Sequence, residues 1–381
     1  MIRKLWIAAL SILGLIVLIQ LAGMLLARLG MPVYYIQSDG SGIRLVRSTV
    51  EPRSFPTLQP GTTPSMREDA IPLIIDTDMA GDDWMAILYL LQRPDVNVVA
   101  ITVTGAGEAH CVPGVRNALD LAMLAGRPQI PVACGREAPL AGNHAFPAEW
   151  RNAVDNLYGL SLPQNPGQPS TDPAPELISR LLQESDQKIH ILTLGPLTNI
   201  AEVFQADATL NDHLEMLTIM GGAVNEPGNV GPTLNIENRH AEWNIYADPY
   251  AARVIFETVT PVTIVPLDAT RHVPVTMDFY SRITDDRTTP AAEFVYRTLT
   301  QRENSIRQGN YYFWDPLAAV LATDASLANF ESLPLVVMEE EGPDSGRTFE
   351  SKDGQMIHVA TWADADQFEK LFLNTLNGRL P

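Results

Sequence analysis

The sequence predicts an α/β fold, an open and mostly parallel sheet covered by helices, preceded by one N-terminal transmembrane helix. Two observations predict the sheet. Short apolar runs alternate with helix-like segments after residue 70, and clusters of polar residues follow the apolar runs. Repeated strand-then-helix units are typical of parallel sheets with helices on their faces. A third observation, the uncharged run from Leu5 to Ala27, predicts the transmembrane helix, because such a run spans the ~30 Å hydrocarbon core of a bilayer.

The N-terminal run favours an uncleaved signal anchor over a cleaved signal peptide. It is longer than the apolar region of a signal peptide, and no small-residue cleavage site stands out. Arg3 and Lys4 precede the run and Arg28 follows it, which places the N-terminus in the cytoplasm and the main domain outside by the positive-inside rule. We therefore expect a membrane-anchored protein whose main domain is extracytoplasmic.

The chain is expected to have three parts. Residues 1–29 form the anchor, and residues 30–69, rich in Pro, Ser, Thr and Gly, form a linker. Within this linker the stretch YYIQSDGSGIRLVRS could form a small hairpin. Residues 70–381 form the α/β domain.

The α/β domain begins with IPLIID, a continuous apolar run of the kind found in strands that are buried on both faces. The helix DDWMAILYLLQRP follows, with Trp84, Ile87, Leu88 and Leu91 on one side. Two more strand-then-helix pairs follow: VNVVAITVTG with CVPGVRNALDLAMLAGR, and KIHILTLG with PLTNIAEVFQAD. The strand LEMLTIMGG, the helix DPYAARVIFET and the strand VTIVPLDAT come next. Ligands of open parallel sheets bind beyond the carboxyl ends of the strands. Since the polar clusters follow those ends, we expect them to form a single site.

Composition limits the choice of ligand. The formal net charge is −19 and most acidic residues follow residue 69, so a polyanion such as nucleic acid would be repelled. Small neutral or cationic ligands are expected instead. Cys111 and Cys134 are the only cysteines, so one disulfide at most can form and no cysteine metal site exists. Two cysteines do not indicate a compartment.

The stretch DTDMAGDD places Asp76, Asp78, Asp82 and Asp83 within eight residues. Packed carboxylates raise one another's pKa unless a cation intervenes. The cluster could be a Ca²⁺ or Mg²⁺ site with oxygen ligands, a phosphoryl-transfer site in which the first Asp is the nucleophile, or a solvated helix start. Asp76 and Asp78 have no helix end of their own, which favours a ligand site.

The cluster resembles D-x-D-x-x-x-D-D, the signature of the inosine–uridine-type nucleoside hydrolases. Four more segments resemble motifs of that family in the same order: LTLGPLTNIA at 192–201, MGGAVNEPGN at 220–229, AEWNIYADPYAA at 241–252 and WDPLAAV at 314–320. Together they extend from about Ile71 to the C-terminus. The resemblance implies Ca²⁺-dependent hydrolysis of the N-glycosidic bond of ribonucleosides, or of a related N-riboside, to free base and ribose.

The resemblance also implies roles for matching residues. The metal ligands would be Asp78, Asp83, the carbonyl of Leu194 and Asp315, with Asp76 supporting the metal shell. Asp78 would also act as the catalytic base that takes a proton from water. Substrate contacts would come from Asp82, Asn229 (with Asn235 as a rival), Glu242, Asn244 and Trp314. Such a carboxylate-rich pocket suits the oxocarbenium-like charge that develops on the sugar.

The chain departs from the family at two positions. Trp314 stands where many members have His, and an indole cannot donate a catalytic proton, although it can stack on a base. Ala106 stands at a position where many members have Asn, which would remove one ribose contact. Candidate replacement acids are His110, His144, His240 and Asp268; Arg271 and the aromatic residues Tyr311, Tyr312 and Phe313 are further candidates for substrate contact.

Two other functions remain open from the sequence. One is a ribonucleoside-binding protein of the same fold without turnover. The other is a haloacid-dehalogenase-like phosphatase, which is disfavoured because Ala80 stands where that family has Thr or Val. The resemblance implies a small-molecule ribonucleoside as partner and also a homo-oligomer, since relatives are often dimers or tetramers.

Overall fold

The computed structural model describes residues 34–38, 43–47, 55–62 and 65–380. The predicted anchor, Leu5 to Ala27, lies outside these residues. Within the described part of the chain, no helix is long and apolar enough to cross a membrane. The chain divides into two units, Met1–Pro56 and Thr57–Pro381.

The first unit contains a two-stranded antiparallel sheet. Strand β1, Tyr34–Ser38, pairs with β2, Ile43–Arg47, and Ser38 lies opposite Ile43 in the register. The hairpin suggested by the sequence is therefore confirmed.

The second unit alternates strands and helices in the order that the sequence predicts. The strands are β3 Ile71–Thr77, β4 Val96–Val103, β5 Val132–Cys134, β6 Ile189–Thr193, β7 Leu214–Met220, β8 Val262–Val265, β9 Ala328–Val337, β10 Thr348–Glu350 and β11 Gln355–Ala363. The helices are α1 Gly81–Leu91, α2 Cys111–Leu124, α3 Ala148–Asp155, α4 Ala174–Glu184, α5 Thr198–Ala206, α6 Val230–Leu234, α7 Trp243–Ala247, α8 Pro249–Thr258, α9 Leu267–Thr270, α10 Met277–Asp285, α11 Pro290–Gln301, α12 Glu303–Arg307, α13 Trp314–Leu321 and α14 Ala365–Leu376.

These strands form one sheet in the order β10-β9-β11-β8-β7-β6-β3-β4-β5. All pairs from β11 to β5 are parallel, whereas β9 is antiparallel to both of its neighbours. The sheet is therefore mixed but mostly parallel, as expected. The three strands β9, β10 and β11 extend it on the side away from β3.

Strand β3 is central because β4 and β6 flank it. Its apolar residues alternate between two buried clusters, with Leu73 and Ile75 on one face of the sheet and Ile74 on the other. This confirms the prediction of a strand that is covered on both faces.

Helix α1 is more deeply buried than its sequence pattern predicts. Trp84, Ile87, Leu88 and Leu91 were expected to form its one apolar side, but every residue of the helix except Asp82 is buried. Helices α11, α13 and α14 all pack against α1, so it is an interior helix with little solvent-facing surface. Its first turn, which carries Asp82 and Asp83, is correspondingly fixed in place.

Candidate active site

One cavity of about 490 Å³ lies at the carboxyl ends of the parallel strands, a volume typical of small-molecule sites. Asp78 follows β3, Glu108 follows β4, Leu194 follows β6 and Met220 ends β7. All four line the cavity together with residues from distant segments. The predicted convergence of the strand ends on a single site therefore agrees with the structure.

Most of the site residues predicted from the sequence line this cavity. They are Asp78, Asp82, Asp83, Leu194, Asn229, Glu242, Asn244, Trp314 and Asp315. The rival Asn235 is outside the lining set; it ends α6 in a left-handed conformation.

The loop between β3 and α1 is fixed by its own hydrogen bonds. Met79 adopts a left-handed backbone, φ 60°, which costs a residue other than glycine roughly 1–3 kcal/mol. The Met79 amide donates to Thr77 Oγ1 (2.9 Å) and to Asp83 Oδ1 (3.2 Å), and its carbonyl accepts from Trp84 Nε1 (2.8 Å). These bonds offset the strain and hold the aspartates in position.

Asp78 lies in a close-fitting backbone cradle. Its Oδ2 accepts from the amide of Glu108 (3.0 Å) and its Oδ1 from the amide of Ala80 (3.3 Å). A Cβ on Gly107 would lie 2.2 Å from the Asp78 Cβ, and one on Gly195 would lie 2.7 Å from it, so both strand-end loops need glycine there. Burial raises the pKa of Asp78 to about 7, and the charges of Asp82 and Glu242 act in the same direction.

Asp82, Asp83 and Asp315 form a close carboxylate group, in which one oxygen from each residue lies within 4.8 Å of the other two. Asp83 and Asp315 are buried, and Asp82 is partly exposed. Burial raises the pKa of Asp83 and of Asp315 well above the usual aspartate range, and repulsion from neighbouring aspartates adds to it. Carboxylates of the first motif, DTDMAGDD, and of the last motif, WDPLAAV, therefore lie side by side. Asp78 is not part of this group.

The group fits a hard divalent cation. Asp83 Oδ2 and Asp315 Oδ1 are buried and have no hydrogen-bond partner among the described residues. Buried carboxylate oxygens without donors are costly, and repulsion between several of them adds to that cost. Oxygen-rich sites of this kind are typical for Ca²⁺ and Mg²⁺, so the donor set suits such an ion.

Glu242, Asn229 and Asn244 line the cavity from the segment after β7. Glu242 precedes α7 and accepts from the amides of Asn244 (2.9 Å), Gly222 (3.0 Å) and Ile245 (3.2 Å); burial nevertheless raises its pKa to about 7. Asn244 Nδ2 donates to the carbonyls of Leu194 (3.3 Å) and Met220 (3.1 Å). The buried Oδ1 of Asn229 has no partner among the described residues. These groups can receive a polar ligand such as a sugar.

The rest of the cavity is largely aromatic. Phe146, Trp150, Trp243, Tyr158, Tyr311 and Trp314 line it, and Tyr311 meets Trp314 edge to face at 5.4 Å between ring centroids. Of the aromatic run before Trp314, Tyr311 reaches the cavity, whereas Phe313 is fully buried in the core. These six residues form the aromatic wall of the cavity, and the carboxylates line the same cavity. Such a site suits a ligand with one flat and one hydroxylated part.

The four candidate replacement acids do not line this cavity. His110 Nδ1 pairs with Asp155 (2.7 Å), and His144 lies between the Tyr246 carbonyl and Glu341. His240 lies 3.7 Å from Asp344. Asp268 accepts from the amides of Val224 and Asn225, and Arg271 pairs with Glu226. Each of these side chains has a partner elsewhere, so none of the four candidates lies in the cavity lining.

Asp76 occupies a different place from the other aspartates. It is fully buried within β3, and its Oδ1 accepts from Thr102 Oγ1 (2.6 Å) and Asn199 Nδ2 (2.8 Å). It does not line the cavity. Asp76 therefore ties β3 to β4 and α5, and any support it gives to the metal shell is indirect.

Several lining residues were not predicted from the sequence, among them Glu108, Tyr158 and Arg302. In the loop after β4, Glu108 rather than Ala106 reaches the cavity, and Ala106 is buried. Burial raises the pKa of Glu108 well above the usual glutamate range, and the charges of Asp78 and Asp82 raise it further. An acid directly after a strand in TGAGEAH was the available signal for Glu108. Tyr158 and Arg302 carry no motif.

Comparison with known proteins identifies relatives of this site and fold. Residues 73–370 match the family model described as inosine-uridine preferring nucleoside hydrolase. Uridine nucleosidase 1 of Arabidopsis thaliana is 36% identical over 206 residues, which are 54% of this chain and 59% of that protein. The pyrimidine-specific ribonucleoside hydrolase RihA of Salmonella schwarzengrund is 35% identical over 206 residues, 54% of this chain and 63% of that protein.

The match thus spans about six tenths of the length of these curated relatives. Among solved structures, a plant nucleoside hydrolase superposes with a TM-score of 0.73 at 27% identity, covering 81% of this chain and 99% of that chain. The family match extends from β3 to α14 and includes the strands that carry the cavity.

Proposed function

We propose that this chain, which belongs to the inosine-uridine preferring nucleoside hydrolase family, hydrolyses the N-glycosidic bond of ribonucleosides to free base and ribose. One observation carries the proposal. Carboxylates from the first and last motifs meet in a cavity that also has polar groups suited to a sugar and an aromatic wall suited to a base.

Asp82, Asp83 and Asp315 would hold a Ca²⁺ ion, with Asp78 and the Leu194 carbonyl beside them. Bound there, the ion would supply a water of lowered pKa and coordination for vicinal ribose hydroxyls. The unpartnered buried oxygens of Asp83 and Asp315 support this assignment. Calcium fits better than magnesium because it accepts many oxygen ligands in irregular geometry.

The protein's own residues would then divide the work. Asp78, held by two backbone amides, takes the proton from the attacking water. Asp82, Asn229, Glu242 and Asn244 contact the ribose, and the acids among them stabilise the positive charge that develops on the sugar. Trp314 stacks on the base.

The phosphatase alternative is poorly supported. In its D-x-D motif the first aspartate is the nucleophile, which here is Asp76. That side chain is fully buried and bonded to Thr102 and Asn199, so a phosphate in the cavity would not reach it.

We predict that the full-length protein in detergent releases ribose from uridine and inosine, measured as reducing sugar. EDTA should abolish the release and Ca²⁺ should restore it, because the acids of the cavity need the ion. The matched control is 2′-deoxyuridine, which lacks one ribose hydroxyl and should be cleaved far more slowly. Calcium-dependent binding without ribose release would instead favour the non-catalytic alternative, and phosphate release from nucleotides would favour the phosphatase.

We also propose that the N-terminal segment anchors the protein in a membrane with the hydrolase domain outside the cytoplasm. The disulfide between Cys111 and Cys134 supports this orientation, because disulfides persist in oxidising compartments. In intact cells or spheroplasts, added protease should digest the domain while a cytoplasmic marker survives. Protection of the domain until the membrane is lysed would contradict the orientation.

A further inference from the structure

Arg302 lies at the aromatic wall of the cavity, between α11 and α12. Its Nη2 donates to the Tyr158 hydroxyl, and its Cζ lies 4.2 Å from the Tyr158 ring centroid and 6.0 Å from that of Tyr311. Both tyrosines also line the cavity. The guanidinium is therefore held by aromatic neighbours at the part of the cavity where a base would stack.

The charge of Arg302 is incompletely paired. None of the ion pairs among the described residues includes it, and its buried Nε has no hydrogen-bond partner among them. A guanidinium offers five N–H donors, of which the hydrogen bonds in the described part of the chain account for one. Arg302 is partly exposed, and its charge attracts the carboxylates of Glu108 and Asp82 across the cavity. Its remaining N–H groups can donate to an acceptor or a negative charge that a ligand brings.

The proposed reaction generates such a charge. When the glycosidic bond breaks, its electron pair stays on the base, which leaves as an anion unless an acid protonates it. Trp314 cannot donate that proton, and His110, His144, His240 and Asp268 are outside the cavity. The leaving base must therefore be stabilised by another residue of the cavity, and Arg302 is the one basic side chain among the described residues that line it.

We propose that Arg302 stabilises the departing base as an anion, by donating N–H groups to its carbonyl or ring-nitrogen acceptors. This inference rests on the proposed hydrolase function. The water oxygen bonds to C1′ while the C1′–N bond breaks; the proton of the water passes to Asp78, and the electron pair remains on the base. The base leaves paired with Arg302 and takes up a proton from solvent after release. Charge-assisted donors of this kind are strong inside a cavity.

A structural role for Arg302, such as holding Tyr158, makes a different prediction. It would affect all substrates equally, because it would disturb the shape of the cavity. Leaving-group stabilisation matters only when the leaving group is poor. A substrate with a good leaving group therefore separates the two roles.

The experiment compares uridine with 4-nitrophenyl β-D-ribofuranoside, whose nitrophenolate leaves readily, in full-length protein saturated with Ca²⁺. Arg302→Met should lower kcat for uridine by about 10²–10³-fold, as for loss of one oxyanion donor, and should change kcat for the nitrophenyl riboside by no more than about tenfold. Arg302→Lys should retain part of the uridine activity, since the charge stays but the planar fork is lost.

The matched control is Arg287→Met. Arg287 also lies over a tyrosine, with its Cζ 4.2 Å from the ring centroid of Tyr296, but it is outside the cavity lining. This variant should leave both kcat values unchanged. Equal losses of kcat for the two substrates in Arg302→Met, or a change in KM alone, would overturn the inference while leaving the hydrolase function intact. A wild-type protein that cleaves neither substrate would overturn both.

Discussion

Asp315→Asn is expected to abolish the stabilisation of the protein by Ca²⁺ without destabilising the calcium-free form. Asp315 lies within 4.8 Å of Asp82 and Asp83, and repulsion from these acids helps to raise its pKa. Asparagine has the shape of a protonated aspartate, so the substitution removes repulsion and leaves the packing intact.

With the ion present, the same substitution removes an ion–carboxylate attraction. At an effective dielectric of 20 and a separation of 4 Å, two unit charges already attract by about 4 kcal/mol, roughly a thousandfold in affinity, and the double charge of Ca²⁺ makes this a lower bound. Wild-type protein at 100 times its Kd gains about 2.7 kcal/mol of stability from the ligand. Thermal unfolding with and without Ca²⁺ should therefore show a shift for the wild type and none for the variant, with turnover lost as well.

Asp248→Asn is the matched control for that measurement. Asp248 is also fully buried, but it caps α8 by accepting from the Ala251 amide (3.1 Å) and is outside the cavity lining. This variant should lose stability equally with and without Ca²⁺ and keep the calcium shift. An undiminished shift in Asp315→Asn would show that the acids of the last motif do not bind the ion.

Asp78→Asn is expected to lower kcat by about 10²–10⁴-fold, the usual contribution of a general base. The loss should be similar for uridine and for the nitrophenyl riboside, because both require an activated water. It should persist at saturating Ca²⁺, which separates proton transfer from any weakening of metal binding. Arg302→Met, in contrast, should discriminate between the two substrates.

Asp155→Asn provides the control for Asp78. Asp155 also accepts from a backbone amide, that of His110 (2.9 Å), but it is not in the cavity. Its substitution should leave kcat unchanged. A kcat for Asp78→Asn within tenfold of the wild type, at saturating Ca²⁺, would exclude Asp78 as the base.

The sequence was sufficient to predict the central strands and the convergence of their ends. IPLIID is apolar at every position because β3 is buried on both faces, and the polar residues after it can only lie at the sheet edge. The spacing of apolar residues in α1 predicted only one buried side. The helix is buried on nearly all sides, because a helix in the interior is apolar all round.

Contacts between distant segments could not be predicted in the same way. Tyr158 and Arg302 are 144 positions apart and meet only because the loop after α3 and the end of α11 reach the same cavity. Asp76 was predicted to support the metal shell beside Asp78, but it lies within β3, where Thr102 and Asn199 bind its carboxylate. Asp78 follows the last residue of that strand and lines the cavity. Motif spacing placed Ala106 at the family's Asn position, whereas Glu108, two residues further along the loop after β4, lines the cavity.

The most direct measurement of the central claim is an anomalous difference map from crystals soaked in Ca²⁺, recorded at a wavelength where calcium scatters anomalously. We expect one strong peak among the carboxylates of Asp82, Asp83 and Asp315, with ligand distances of about 2.3–2.6 Å. A map without a peak there at saturating calcium, or with its only peak elsewhere on the molecule, would contradict the proposal that the two ends of this domain share one ion.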